Sequence, residues 1–365
     1  MQIPRLFLCR NQILEAAKRI QDSVFIMTKT RPIVIAHRGA SGYLPEHTLA
    51  AKALAHAMGA DFLEQDVVLS RDGVPIILHD IHLESTTDVA QHFPQRARPD
   101  GRFYAMDFTM DEIRQLRVHE RSTRDAAGRE VAVFPDRFPF GPGLFRIPTL
   151  AEEIDLITGL DQSRGCSTGL YIELKSPNRH KAAGLDLAGA ILDVLADKGY
   201  ADRPQQVYLQ CFDDNTLRHL RHERKSPLPL IQLIGENDWG DDSTVDYNYL
   251  QTPQGLADIA SYAHGIGPWI KQIYLGNNSD GRAIVSTLVA QAQAAGLLVH
   301  PYTFRQDELP EGIGSFTELL EIFITQVGVD GLFTDFPDLV NNYLQQQTSP
   351  LVTNPDRTAT NSTDK

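Results

Sequence analysis

Residues 62–69 read FLEQDVVL and residues 33–38 read IVIAHR. Both runs are apolar enough to be strands covered on two faces, as in a parallel sheet. Each also carries ionisable groups. Glu64 and Asp66 stand two positions apart, so in a strand they share a face. His37 and Arg38 close the earlier run, and Gly39 then lets the backbone turn. Two acids on a buried strand face are costly unless positive charge lies between them. A metal ion meets that need most simply. The other solution is a set of buried ion pairs, Glu64 with Arg38 and Glu173 with Lys175.

On either side of these runs, strand-like and helix-like segments alternate. The strand-like segments are 33–38, 62–69, 75–80, 169–175, 207–212, 228–234, 265–270, 297–303 and 329–335. Helix-like segments intervene, among them 46–58, 149–159, 181–199, 213–223, 254–263, 283–295 and 315–327. Thr149 before Glu152 and the Asp213-Asp214 pair are helix-start signals. Gly59, Gly199 and Gly296 are stop signals. This alternation over 31–346 predicts an α/β fold, a distorted TIM (β/α)8 barrel. Nine candidates compete for eight places, and the expectation is that 228–234 or 265–270 is accessory. The alternation fails once, at about 81–148, which reads as an insertion subdomain after the third strand.

The chain has 365 residues, 42% of them apolar, and a net charge of -13. That charge argues against nucleic acid or an anionic membrane as partner. Cys9, Cys166 and Cys211 form no disulfide framework or CxxC motif. No stretch reads as a transmembrane segment. Residues 1–30 read as an N-terminal extension with a short amphipathic helix at about 10–26, and Met27 offers an alternative start. No secretory signal is legible, so the expected compartment is the cytoplasm, with the periplasm as the alternative. Residues 347–365 read as a disordered tail. Oligomeric state is not legible.

The ionisable residues gather at strand ends. His37 and Arg38 close the first run, Glu64 and Asp66 lie in the second, His79 and Asp80 close the third, and Glu173 and Lys175 close the fourth. In a parallel barrel these ends meet on one face, where barrel active sites lie. Glu64, Asp66 and Glu173 offer oxygen ligands that suit a hard cation, Ca2+ or Mg2+. His37 and His79 flank the acidic strand as a general base and general acid. Arg38 and Lys175 are anion contacts suited to a phosphate ester. His300 reads as a buried core residue, and His219 and His222 as solvated.

In order along the chain, these motifs resemble the glycerophosphodiester phosphodiesterases. They are His37-Arg38-Gly39-Ala40, Pro45-Glu46-His47-Thr48, Glu64-Gln65-Asp66-Val67, Leu78-His79-Asp80, Glu173-Leu174-Lys175 and Phe333-Thr334-Asp335-Phe336-Pro337. Leu209-Gln210-Cys211-Phe212, Val299-His300-Pro301-Tyr302-Thr303 and the long insertion are most similar to the bacterial periplasmic-type branch. The resemblance implies a distorted TIM barrel in which Glu64, Asp66 and Glu173 hold a divalent ion, Ca2+ in this branch. It implies His37 and His79 as the acid–base pair, with Arg38 and Lys175 near the phosphate. The implied reaction converts small-molecule glycerophosphodiesters such as glycerophosphocholine or glycerophosphoethanolamine to sn-glycerol 3-phosphate and an alcohol. Two rival readings are a barrel phosphodiesterase acting on lysophospholipid or phospholipid, with Arg96, Arg98 and Arg102 as a basic rim, and a silent barrel that only binds phosphodiesters.

Overall fold

The structure, a computed structural model, describes residues 31–141, 144–240 and 242–348. The expectations for the N-terminal extension, for Met27 and for positions 349–365 lie outside the described residues. Eight parallel strands form the barrel. They are β1 (Ile33–Ala36), β2 (Phe62–Leu69), β4 (Gly169–Leu174), β5 (Val207–Cys211), β6 (Leu230–Ile234), β7 (Gly265–Pro268), β8 (Leu298–Val299) and β9 (Gly331–Thr334). Around the ring the order is β8, β7, β6, β5, β4, β2, β1, β9. Backbone hydrogen bonds close it between β9 and β8, from Asp330 N to Val299 O at 3.1 Å and from Phe333 N to Pro301 O at 3.0 Å.

The remaining strand, β3 (Pro75–Ile77), is antiparallel to β2, with Val67 opposite Ile77. This corrects the strand count. Segments 230–234 and 265–268 are both barrel staves, and the surplus candidate is 75–80. The physical reason is chain length. Only residues 70–74 separate β2 from β3, whereas a parallel crossover needs a dozen residues or more. The insertion follows β3 and builds its own small core from Val89, Phe103, Phe108, Ile113 and Leu116 against Val68 of β2 and Ile76 of β3.

Eight helices complete the wheel. They are α1 (Leu49–Ala57), α2 (Leu150–Arg164), α3 (Leu187–Asp197), α4 (Asp214–Arg218), α5 (Pro253–Ile259), α6 (Leu288–Ala294), α7 (Phe316–Leu320) and α8 (Pro337–Thr348). Their starts obey the capping rules. Thr149 and Glu152 form a reciprocal capping box on α2, and the Asp213 carboxylate accepts the Thr216 N–H on α4.

Strand parity sorts the side chains. Leu63 and Val67 of β2, and Leu170, Ile172 and Leu174 of β4, face the helices in the main core. Phe62, Tyr171, Tyr208, Ile231 and Phe333 fill the barrel interior. Glu64, Asp66 and Glu173 share the parity of that second set, so the alternation that packs the interior also carries them inward at the strands' C-terminal ends. His300 lies in the interior as a buried residue, its Nδ1 2.9 Å from the Tyr171 hydroxyl.

Candidate active site

The C-terminal mouth of the barrel opens into a cavity of about 610 Å³. His37, Arg38, Glu64, Asp66, His79, Glu173 and Lys175 all line it. The structure thus brings together all seven residues singled out from the sequence. Its far wall is aromatic, formed by Phe212, Trp239, Trp269 and Tyr302.

Glu64 and Asp66 are almost fully buried. Across the β2–β4 register Asp66 sits beside Glu173, and Glu173 in turn beside Gln210 of β5. Burial, and then the Asp66 charge, drive the Glu64 carboxyl well above its ordinary range. Burial pushes Glu173 up to about 8, with Asp66 adding to the rise against the opposing Lys175. Asp66 moves the other way. Burial raises it, but Lys175, His79 and His47 outweigh that and hold it ionised. Burial and mutual repulsion thus disfavour the negative charge on Glu64 and Glu173, even though Lys175 contacts Glu173 directly. Among the described residues Asp66 Oδ1 is buried without a hydrogen-bond partner. A clustered set of oxygens with an orphaned buried lone pair fits a hard divalent cation.

His47 belongs to this cluster and was missed as a site residue. One ligand atom each from His47, Glu64 and Asp66 lie within 4.8 Å of one another. His47 Nε2 is 2.7 Å from Asp66 Oδ2. His47 has a left-handed backbone, φ 61°, as does Arg38, φ 57°. Such conformations are costly for non-glycine residues and collect at functional sites. The turn at Arg38 aims its backbone N–H at Glu64 Oε2, 2.6 Å away. Gly39 allows that turn with φ +86°, where a Cβ would lie 2.8 Å from the Ala51 carbonyl carbon.

The ion-pair alternative holds in part. Lys175 Nζ is 2.8 Å from Glu173 and 3.8 Å from Asp66. The Arg38 guanidinium instead grips Glu46, at 3.0 and 3.1 Å, and its Nε forms a looser ion pair with Asp66 Oδ2 at 3.6 Å. Its buried Nε has no hydrogen-bond partner among the described residues.

The two histidines share one construction. His37 Nδ1 is 2.6 Å from Asp335 Oδ1, and His79 Nδ1 is 2.6 Å from Asp80 Oδ1. A carboxylate accepts only, so each Nδ1 carries the proton and each Nε2 presents a lone pair. Burial, and then Arg38, lower the His37 imidazole to about 4. Burial, then Arg38 and Lys175, lower His79 to about 4. Both are neutral at neutral pH.

The insertion braces both pairs. Arg121 bridges Asp80 to Glu46, donating at 2.8 Å to the first and at 2.7 and 2.9 Å to the second. Arg137 reaches Asp335 at 2.8 Å and Asp307 at 2.8 and 3.0 Å, while Arg305 donates to Asp335 at 2.8 Å. One continuous charge chain thus runs from His79 through Asp80, Arg121 and Glu46 to Arg38. Asp80 and Asp335 stood in quoted motifs without a role. Their signal was local for Asp80, beside its histidine, and absent for Asp335, 298 residues from His37.

Residues 37–339 match the model of the glycerophosphoryl diester phosphodiesterase family. The chain belongs to this family. A glycerophosphodiester phosphodiesterase of Haemophilus influenzae is 40% identical, over 87% of this chain and 91% of that protein. One of Treponema pallidum is 38% identical, over 86% and 91%. A crystal structure from Silicibacter pomeroyi, assigned to the same phosphodiesterases, superposes with a TM-score of 0.64 at 26% identity, covering 87% of this chain and 95% of that one. A phosphodiesterase from Oleispira antarctica shares the fold, with a TM-score of 0.55 at 22% identity, over 86% and 97%. No helix among the described residues of this family member is long and apolar enough to cross a membrane.

Proposed function

We propose that this glycerophosphoryl diester phosphodiesterase family member hydrolyses glycerophosphodiesters to sn-glycerol 3-phosphate and an alcohol, using a divalent cation and a pair of histidines. The observation that carries the reading is the pair of aspartate-backed imidazoles on either side of one carboxylate cluster, over one cavity. The cation is Ca2+, with Mg2+ as the alternative. Glu64, Asp66 and Glu173 hold it, with His47 alongside. When bound, it neutralises phosphate charge and polarises the phosphorus centre.

Arg38 and Lys175, which both line the cavity, receive the phosphodiester anion. That anion faces the same two cations that depress His79, one of which also depresses His37, so its charge offsets them and makes both imidazoles easier to protonate, as proton transfer requires. One Nε2 removes a proton from the glycerol 2-hydroxyl, which attacks phosphorus. The other imidazole, which takes up a proton from solvent at Nε2 as the phosphodiester anion binds, gives that proton to the departing alcohol oxygen. The roles then exchange as water opens the cyclic phosphate. Asp335 and Asp80 keep each ring in the tautomer that makes this exchange workable.

The phospholipid reading loses its basic rim. Arg96, Arg98 and Arg102 are paired with Glu112, Asp107 and Glu84 at 2.8, 2.7 and 2.6 Å. The test is to chelate the enzyme, re-supply Ca2+, Mg2+ or Zn2+, and assay glycerophosphocholine beside lysophosphatidylcholine. The expected outcome is sn-glycerol 3-phosphate from the first, restored best by Ca2+. Full activity after exhaustive chelation, or hydrolysis of the lysolipid alone, refutes the proposal.

A further inference from the structure

At the opposite end of the barrel, where α1 and α2 run down to the starts of β2 and β4, three metal-binding side chains converge. His56 lies near the end of α1, Asp161 near the end of α2, and Cys166 just beyond it. His56 Nε2 is 2.9 Å from Asp161 Oδ1. Cys166 Sγ is 3.6 Å from that nitrogen and 3.6 Å from that oxygen. The three donor atoms form one compact triangle.

Its size is informative. Zinc bonds of about 2.3 Å to sulfur and about 2.0–2.2 Å to nitrogen and oxygen, at tetrahedral angles, give a donor triangle with edges of about 3.5, 3.5 and 3.4 Å. Two edges already match. The third needs His56 and Asp161 to part by about half an ångström.

The surroundings hold the donors in place. The His56 side chain is fully buried, and its Nδ1 has no hydrogen-bond partner among the described residues. All its polar business is therefore at this triangle. The Thr168 N–H meets both Asp161 oxygens at 3.1 Å and fixes the carboxylate plane. Gly165, at φ 65°, turns the chain back after α2, and the Cys166 N–H donates to the Asp161 carbonyl at 3.1 Å. Cys166 itself is exposed, which leaves the fourth coordination position open to water. A thiolate, an imidazole and a carboxylate select a borderline-soft ion over Ca2+ or Mg2+.

We infer that His56, Asp161 and Cys166 form a second metal site, for a zinc-class divalent cation, separate from the active site. It ties the ends of α1 and α2 together at the barrel floor. Binding displaces the thiol proton to solvent and takes the neutral imidazole at Nε2 with its ring proton on Nδ1, with no change of oxidation state. The site stands independently of the proposed hydrolysis.

The test uses the full-length protein, stripped by chelation and then saturated with Ca2+ to occupy the active-site carboxylates. Titration with Co2+ is expected to develop a near-ultraviolet thiolate-to-cobalt charge-transfer band and tetrahedral ligand-field bands, both abolished by Zn2+ and absent in C166S. Zn2+ affinity should fall by more than about tenfold in C166S and in D161N. As a second readout, Zn2+ should slow alkylation of Cys166 by iodoacetamide more than about tenfold, followed by mass spectrometry of its peptide. Phosphodiesterase activity of C166S is expected to be unchanged. A thiolate band that is missing, or that survives in C166S, overturns the inference. So does Cys166 alkylation indifferent to Zn2+, which leaves a His56–Asp161 ion pair only.

Discussion

Replacing Asp335 with Asn tests the role given to the His37 pair. The carboxylate accepts from His37 Nδ1 at 2.6 Å and is itself held by Arg137 and Arg305, each at 2.8 Å. It does not line the cavity and is 1% exposed. Its effect on substrate therefore passes through the side chains it holds, the imidazole and Arg305, both of which line the cavity. A charge-assisted hydrogen bond of this kind contributes about 1.5–3 kcal/mol, which at ~1.4 kcal/mol per decade corresponds to a loss of about 10- to 150-fold in kcat. KM should change little. A pH profile separates positioning from general damage. Burial and then Arg38 depress His37, whereas Asp335 raises it. Losing the negative charge lowers the imidazole further, so the acid limb of kcat/KM moves to lower pH. Steady-state kinetics across pH, with thermal unfolding to confirm folding, reads both effects. A kcat within about threefold of wild type, with an unmoved acid limb, would falsify the positioning role.

Three stability predictions follow from buried features. Lys52 and Glu153 are both fully buried and 2.9 Å apart, so K52M should cost about 3–5 kcal/mol by stranding the carboxylate, while K52M/E153L should cost much less; urea titration of both variants checks this. Ala at Gly39 must adopt φ +86° against the Ala51 backbone. A loss of about 1–3 kcal/mol is expected, together with reduced turnover because Arg38 adjoins the turn. Glu120 is 3% exposed, with Oε2 unpartnered among the described residues, and burial followed by Glu46 raises it to about 7. A raised folded-state value means stability present below the unfolded value of about 4.5 and lost as pH rises through 7. E120Q should therefore gain on wild type by up to about 3 kcal/mol at pH 8 and by nothing at pH 4; equal pH slopes in urea melts would contradict this.

What the sequence makes legible is local. Glu64 and Asp66, or Glu173 and Lys175, declare a shared strand face by a spacing of two, and His79-Asp80 by adjacency. What it hides is long-range. The partnership of Asp335 with His37, or of Arg121 with Glu46 across 75 residues, has no periodic signature. The role of the insertion was hidden for the same reason, since its arginines act on residues outside it. β7 was obscured by its glycines, which strand propensity disfavours. The structure explains Gly265, because a Cβ there would meet the Leu298 carbonyl oxygen at 2.6 Å. The misreading of β3 as a stave was avoidable, since the five residues after β2 exclude a parallel return.

The central claim is that two aspartate-backed imidazoles divide the proton transfers between them. The most direct measurement is kcat for glycerophosphocholine in H37A, H79A and the double variant, with substrate binding measured separately by calorimetry. Each single change is expected to lower kcat by about 10²–10⁴-fold with binding retained. The double change should cost far less than the product of the two, because the imidazoles work as a unit. Wild-type turnover in either single variant would contradict the claim.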